Sequence, residues 1–133
     1  MDRFKFRGKR VDNGELVYGS LVVNNVGQFH IVTCPSLVEG EIFQVHPESV
    51  EQCTGLKDSN GKLIYEGDII EWEHKDNEYD IVWFIWSDER MGWWCNDVFG
   101  NEFNICELNF SCCEVIGNTN ENPELQTSEP KFL

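Results

Sequence analysis

The chain alternates apolar and polar positions with a period of two over much of its length, the pattern of strands that bury one face. In "RFKFRGKRV", Phe4 and Phe6 alternate with Lys5 and Arg7, so the pattern predicts a first strand with its phenylalanines inward and its cations outward. Asn13-Gly14 is a strong short hairpin signal; "ELVYGSLVV" follows, then a turn at "NNVG" and another strand at "QFHIVT", which together read as a meander. A loop rich in Pro, Gly and Glu runs from Pro35 into "HPES", where Pro47 is placed to open one helical turn.

The most strongly patterned segment is "TGLKDSNGKLIYEGDII", Thr54 to Ile70. Asn60-Gly61 fits a type I′ turn, with "TGLKDS" entering and "LIYEGDII" leaving as a single strand. Gly67, between Glu66 and Asp68, marks a bulge or bend in that strand, as at the rim of a small barrel. Glu66 and Asp68 share a face of a regular strand, which raises an acid/base or metal-binding reading. The preferred reading is structural, because Asp beside Gly commonly bonds its own backbone. "NGELVYG" and "NGKLIYEG" share their order of residue types, so Tyr18 and Tyr65 are expected in similar positions.

Beyond a polar break at "HKDNE", the stretch "EYDIVWFIWSDERMGWWCND" is apolar on both faces of a strand. Val82, Phe84 and Trp86 face one way and Ile81, Trp83 and Ile85 the other, which predicts a central strand covered on both sides. "SDERMG" turns the chain, and Trp93 and Trp94 then fall on opposite faces, one in the core and the other available to a second layer or a partner. "NEFNICELNF" fits helix and strand equally well, "CCEVIGN" reads as a short closing strand, and the polar segment 118–133 is expected at the surface. The prediction is a mainly β fold: one domain over residues 1–117, built of antiparallel hairpins in a barrel-like or sandwiched sheet, with at most one or two short helices.

Composition narrows the function classes. The 133 residues suit one modest core, and 41% hydrophobic with 13% aromatic content is that of a folded chain. No apolar run has the length of a membrane span, and "MDRFKFRGKR" lacks the apolar stretch of a signal peptide, so a cytoplasmic location is expected. The six cysteines, with no Cys-x-x-Cys spacing, are expected to be free thiols. His30 and Cys34 share a strand face and offer two metal ligands without a further pair, so no metal site and no cofactor are expected.

The formal charge is −14, yet Arg3, Lys5, Arg7, Lys9 and Arg10 give the first ten residues +4 and leave −18 to the rest. That body repels phosphate backbones and suits a protein partner with a basic surface, where Asp76, Glu78 and Asp80 with Trp93 and Trp94 are the candidate contacts. The competing reading is a single-stranded nucleic-acid binder, in which the N-terminal cations meet phosphates and aromatic rings stack on bases. An acidic surface that serves solubility alone is the plain alternative. No phosphate loop, dinucleotide fingerprint or His-Glu-x-x-His is present, so a non-enzymatic protein is expected, and self-association stays open.

Three stretches, "FKFRGKRVDNGELVYGSL", "TGLKDSNGKLIYEGDIIEW" and "EVIGNTNENPEL", resemble the signature blocks of the YopX-like family of phage and prophage proteins, in the family's order. The resemblance implies a mostly β fold in a gene carried by phages or integrated elements. It implies no catalytic residues. Asn60, Gly61, Tyr65, Glu66, Gly67 and Asp68 are then a structural motif that sets strand register and a bend.

Overall fold

A computed structural model describes residues 4–33, 40–75, 78–105 and 108–127. The chain forms two compact units, residues 1–55 and 56–133. Among the described residues the structure is β-rich, and its helical pieces are single 3-10 turns, including Pro47–Ser49, Phe110–Cys112 and Pro123–Gln126. Pro47 does open one such turn, and within "NEFNICELNF" Glu102–Asn104 is a short strand, while Cys106 and Glu107 lie outside the described residues.

In the first unit β1 (Phe6–Lys9), β2 (Leu16–Val23), β3 (Phe29–Thr33) and β4 (Glu41–Val45) form the expected antiparallel meander. The start of β5 (Glu51–Lys57) pairs on the other side of β1, giving the order β4-β3-β2-β1-β5. The sheet curls until Arg10 and Val45 make a single bridge, but the strands do not close into a barrel. Ile31, Val45 and Cys53 are its buried apolar residues. Gly19, inside β2, is required by close approach: a Cβ there would lie 2.2 Å from the Val32 carbonyl oxygen.

The first strand corrects the parity read from its sequence. Arg7 is the buried residue, 3 % exposed, and donates to Glu51 at 3.0 Å, while Phe4 is 59 % exposed. Alternation fixes that neighbours face opposite ways but not which set is inside. Here the guanidinium finds a carboxylate across the β1–β5 ladder, where Arg7 and Glu51 are register partners, and burial becomes affordable.

The second unit contains β6 (Leu63–Tyr65), β7 (Asp68–Lys75), β8 (Glu78–Ser87), β9 (Gly92–Asp97), β10 (Glu102–Asn104) and β11 (Cys113–Asn118). β6 neighbours β5, while the other five form an antiparallel sheet in the order β10-β9-β8-β7-β11. β8 is central, as its two apolar faces predict. Its inner face places Val82 and Phe84 in a core with Ile64, Ile70, Cys95, Leu108 and Cys113, all at most 6 % exposed.

The segment 54–70 departs from the sequence reading in two ways. The loop Ser59-Asn60-Gly61 is not type I′, since only Gly61 of the three has a positive φ, +81°; it is a three-residue loop with glycine in the left-handed position. Nor is "LIYEGDII" one strand. Glu66 and Gly67 form a turn between β6 and β7, and Gly67, at φ +83°, donates to the Phe84 carbonyl and accepts from the Thr119 amide, both at 2.8 Å. The bend is there, but as a corner between two strands. For the same reason Tyr18 and Tyr65 are not equivalent: Tyr18 lies within β2 and is 47 % exposed, whereas Tyr65 ends β6 and is buried.

Candidate binding surface of the second sheet

The register of β7, β8 and β11 decides which side chains share the outer face. Ile70, Val82 and Val115 are cross-strand neighbours on the core side, so Glu71, Ile81 and Glu114 are neighbours on the other. One step along, Glu73 stands opposite Tyr79. The Tyr79 hydroxyl bonds the Glu73 carboxylate, and this bond, with the charges of Glu73 and Glu71, holds its pKa above the ordinary tyrosine value.

A cavity of about 410 Å³ opens in this unit. Its lining includes the acidic residues Glu71, Asp80 and Asp97, the aromatic residues Tyr79 and Phe99, and the apolar residues Ile81, Ile116 and Leu125. Ile116 sits at a register shift in β11 between Val115 and Gly117, a bulge that breaks strand parity. Leu125 comes from the 3-10 turn that follows Pro123, so the polar segment after residue 117 supplies part of the wall.

Phe99 is presented by a local device that recurs in the chain. The Asp97 Oδ1 accepts from the amides of Phe99 and Asn101 at 2.9 and 2.8 Å, and Gly100 has φ +83°. Asn24 does the same for Val26 and Gln28, with Gly27 at φ +84°, and Asp58 for Asn60 and Lys62, with Gly61 at +81°. Each is an Asx-x-x-Gly loop whose first side chain stands in for a missing backbone acceptor. Asp97 is therefore committed to its turn, and Glu71 and Asp80 are the other acidic residues of the lining.

The residues expected from sequence are only partly brought together. Asp80 lines the cavity and Glu78 is exposed at the start of β8, whereas Asp76 lies outside the described residues. Trp93 and Trp94 do fall on opposite faces, at the far end of the β8–β9 hairpin. Trp93 packs edge-on against Trp86 with centroids 5.3 Å apart, and Trp94 lies under the Arg90 guanidinium at 4.1 Å. Neither is part of the cavity lining. Glu71, Tyr79 and Phe99 escaped the sequence reading, although Asp97-Val98-Phe99-Gly100 repeats the spacing of Asn24-Asn25-Val26-Gly27 and signals the turn that holds the ring.

The N-terminal cations do not form an open basic stripe. Arg3 lies outside the described residues, Arg7 is buried on Glu51, and Lys5 is exposed. Lys9 is half-buried. Arg10 is clamped by both oxygens of Asp12 at 2.9 and 2.7 Å and lies 4.1 Å over the Phe43 ring. Of the pair considered for acid/base chemistry, Asp68 is 2 % exposed and accepts from the Tyr65 amide at 2.8 Å, bracing the Glu66-Gly67 corner.

Cys53, Cys95, Cys112 and Cys113 are free thiols, and Cys34 and Cys106 lie outside the described residues, Cys34 taking the His30 pairing with it. Burial pushes the Cys95 thiol far up and that of Cys113 up to about 11, so both stay protonated at neutral pH. Among the described residues no group of three or more His, Cys, Asp or Glu is placed to hold a metal ion. Among them, too, no helix is long and apolar enough to cross a membrane.

Compared with known families, the chain matches the family model described as "YopX protein" over residues 5–126, nearly its whole length. No curated protein matches it.

Proposed function

The chain belongs to the YopX protein family, and from that premise we propose that it is a non-enzymatic accessory protein of a phage or mobile element. It works in the host cytosol by binding a protein with a basic surface. One observation carries this reading: the cavity of the second unit has three carboxylates and no cationic side chain among its described lining residues, in a chain whose charge outside the first ten positions is −18. A surface of that sign raises the local concentration of cationic groups and speeds their encounter, and the apolar residues of its lining, Ile81, Ile116 and Leu125, supply contact area once they arrive. Occupying a basic surface that otherwise holds nucleic acid would make the protein an acidic mimic of a phosphate backbone.

Two labelled probes titrated at low and moderate salt test the proposal: a lysine- and arginine-rich peptide and a single-stranded oligonucleotide. The peptide is expected to bind, more weakly as salt rises, and the oligonucleotide not to bind. Salt-sensitive binding of the oligonucleotide that is lost on replacing Lys5 and Lys9 with Ala would overturn it.

A further inference from the structure

Two exposed aromatic residues line one cavity. Phe99 is 74 % and Tyr79 53 % exposed, and both share the lining with the apolar Ile81, Ile116 and Leu125. A single exposed ring needs no explanation, but aromatic residues that border a concave, largely apolar lining are where a partner's side chain is buried. Phe99 is also held in place in advance. The Asp97 Oδ1 accepts from the Phe99 and Asn101 amides, its Oδ2 accepts from the Asn101 side chain at 2.9 Å, and the Asp97 amide donates to the Asn101 carbonyl at 3.0 Å. Asp97 itself is buried, so the base of the loop is packed while Phe99 stands in solvent. A segment ordered before its partner arrives loses little freedom on binding. Acidic residues lie beside this lining on one sheet face: Glu71 is the register partner of Glu114, and Glu73 is that of Tyr79.

We propose that the cavity seats a large apolar side chain of the protein partner, packed against Phe99, Tyr79 and Ile116, in a segment whose neighbouring lysines or arginines lie over Glu71, Glu73 and Glu114. This inference rests on the basic-partner reading and names the segment recognised, an apolar anchor between cations. Desolvation decides which group enters. Burying a cation costs more than half-exposed carboxylates return, whereas burying an apolar side chain is favourable in itself. Cations at the rim keep their water, feel the acidic face and set the rate of encounter. An aromatic anchor gains ring contacts with Phe99 and Tyr79 beyond its buried area, so phenylalanine is the probe of choice.

Three fluorescent peptides decide it: one with phenylalanine between lysines, one with alanine in place of the phenylalanine, and one with glutamine in place of the lysines. Their affinities are measured by anisotropy at low and moderate salt for the wild type, Phe99→Ala, the exposed Glu114→Gln and, as a control in the first unit, the exposed Glu48→Gln. The lysine-phenylalanine peptide is expected to bind about tenfold more tightly than the alanine one, an advantage that persists while salt weakens both. Phe99→Ala should cut that advantage to about threefold or less and leave the alanine peptide's affinity within about twofold. Because Phe99 is exposed, its removal should leave the thermal midpoint unchanged, which separates a lost contact from a lost fold. Glu114→Gln should weaken both lysine peptides alike, by up to about threefold, and Glu48→Gln neither. If the phenylalanine and alanine peptides bind equally, or the advantage survives Phe99→Ala in full, the seat is wrong while the basic-partner reading stands. If the glutamine peptide matches the lysine one, the basic-partner reading falls and the apolar seat stands. If no peptide binds the wild type at low salt, both fall.

Discussion

Buried charge at two positions, Arg7 and Asp58, shows how single residues hold this fold. Truncating Arg7 removes the cation bonded to the half-buried Glu51, and breaking a buried pair from one side costs up to about 3–5 kcal/mol. Arg7→Ala is therefore expected to lower unfolding free energy by about that much in urea, whereas a mere solvent-facing cation would cost under about 0.5 kcal/mol. Asp58 is 6 % exposed; burial opposes its ionisation, but amide bonds from Val115, Lys62 and Asn60 prevail and hold its pKa below the ordinary 3.8. The sign follows from linkage: a lowered folded pKa contributes stability that is complete above 3.8 and lost as pH falls below it toward the folded value. Asp58→Asn should thus cost about 1–3 kcal/mol at pH 7, with the gap from wild type narrowing below pH 3.8 in chemical denaturation across pH. Neither residue's role was legible in advance. A cation on an alternating strand reads as outward, and Arg7 is inward where Glu51, 44 residues away, meets it across a ladder.

Among the elements, turns were the most legible feature, because glycine with Asn or Asp leaves few conformations open. The turns at Asn13-Gly14, Asn24–Gly27, Asn60-Gly61 and Ser87–Gly92 stand where the sequence places them, and β8 is central as its two apolar faces require. Turn type was less legible. Asn60-Gly61 suggested a two-residue loop, but the Asp58 carboxylate, bonded to two amides, stabilises a three-residue one. Likewise the Glu66-Gly67 corner hides inside a continuous strand pattern, since what makes it a corner is distant: the Phe84 carbonyl and the Thr119 amide. Gly67→Val should destabilise the protein by about 1–3 kcal/mol, because a β-branched residue cannot hold φ near +83° without strain. An unchanged denaturation midpoint would contradict that geometry. The cavity was the least legible of all. Its Glu71, Tyr79 and Ile116 come together through the register of three strands and one bulge, which local patterns do not encode.

For the whole molecule, charge partition is the property that bears on function. Of the N-terminal cations, Arg7 is drawn into the fold by Glu51 and Arg10 is held by Asp12 and Phe43, while the cavity of the second unit has Glu71, Asp80 and Asp97 in its lining. Folding should tolerate reducing agent, since the described cysteines are free and Cys53, Cys95 and Cys113 are buried; a lower melting temperature in dithiothreitol would contradict this. The central claim, that the second unit's acidic face is where a cationic partner docks, is tested most directly by amide chemical-shift mapping of the labelled protein titrated with the lysine- and arginine-rich peptide. The account predicts shifts concentrated in residues 69–81, 96–101 and 114–127, reversed by added salt. Shifts confined to β1 and β2, or scattered evenly over both units, would contradict it.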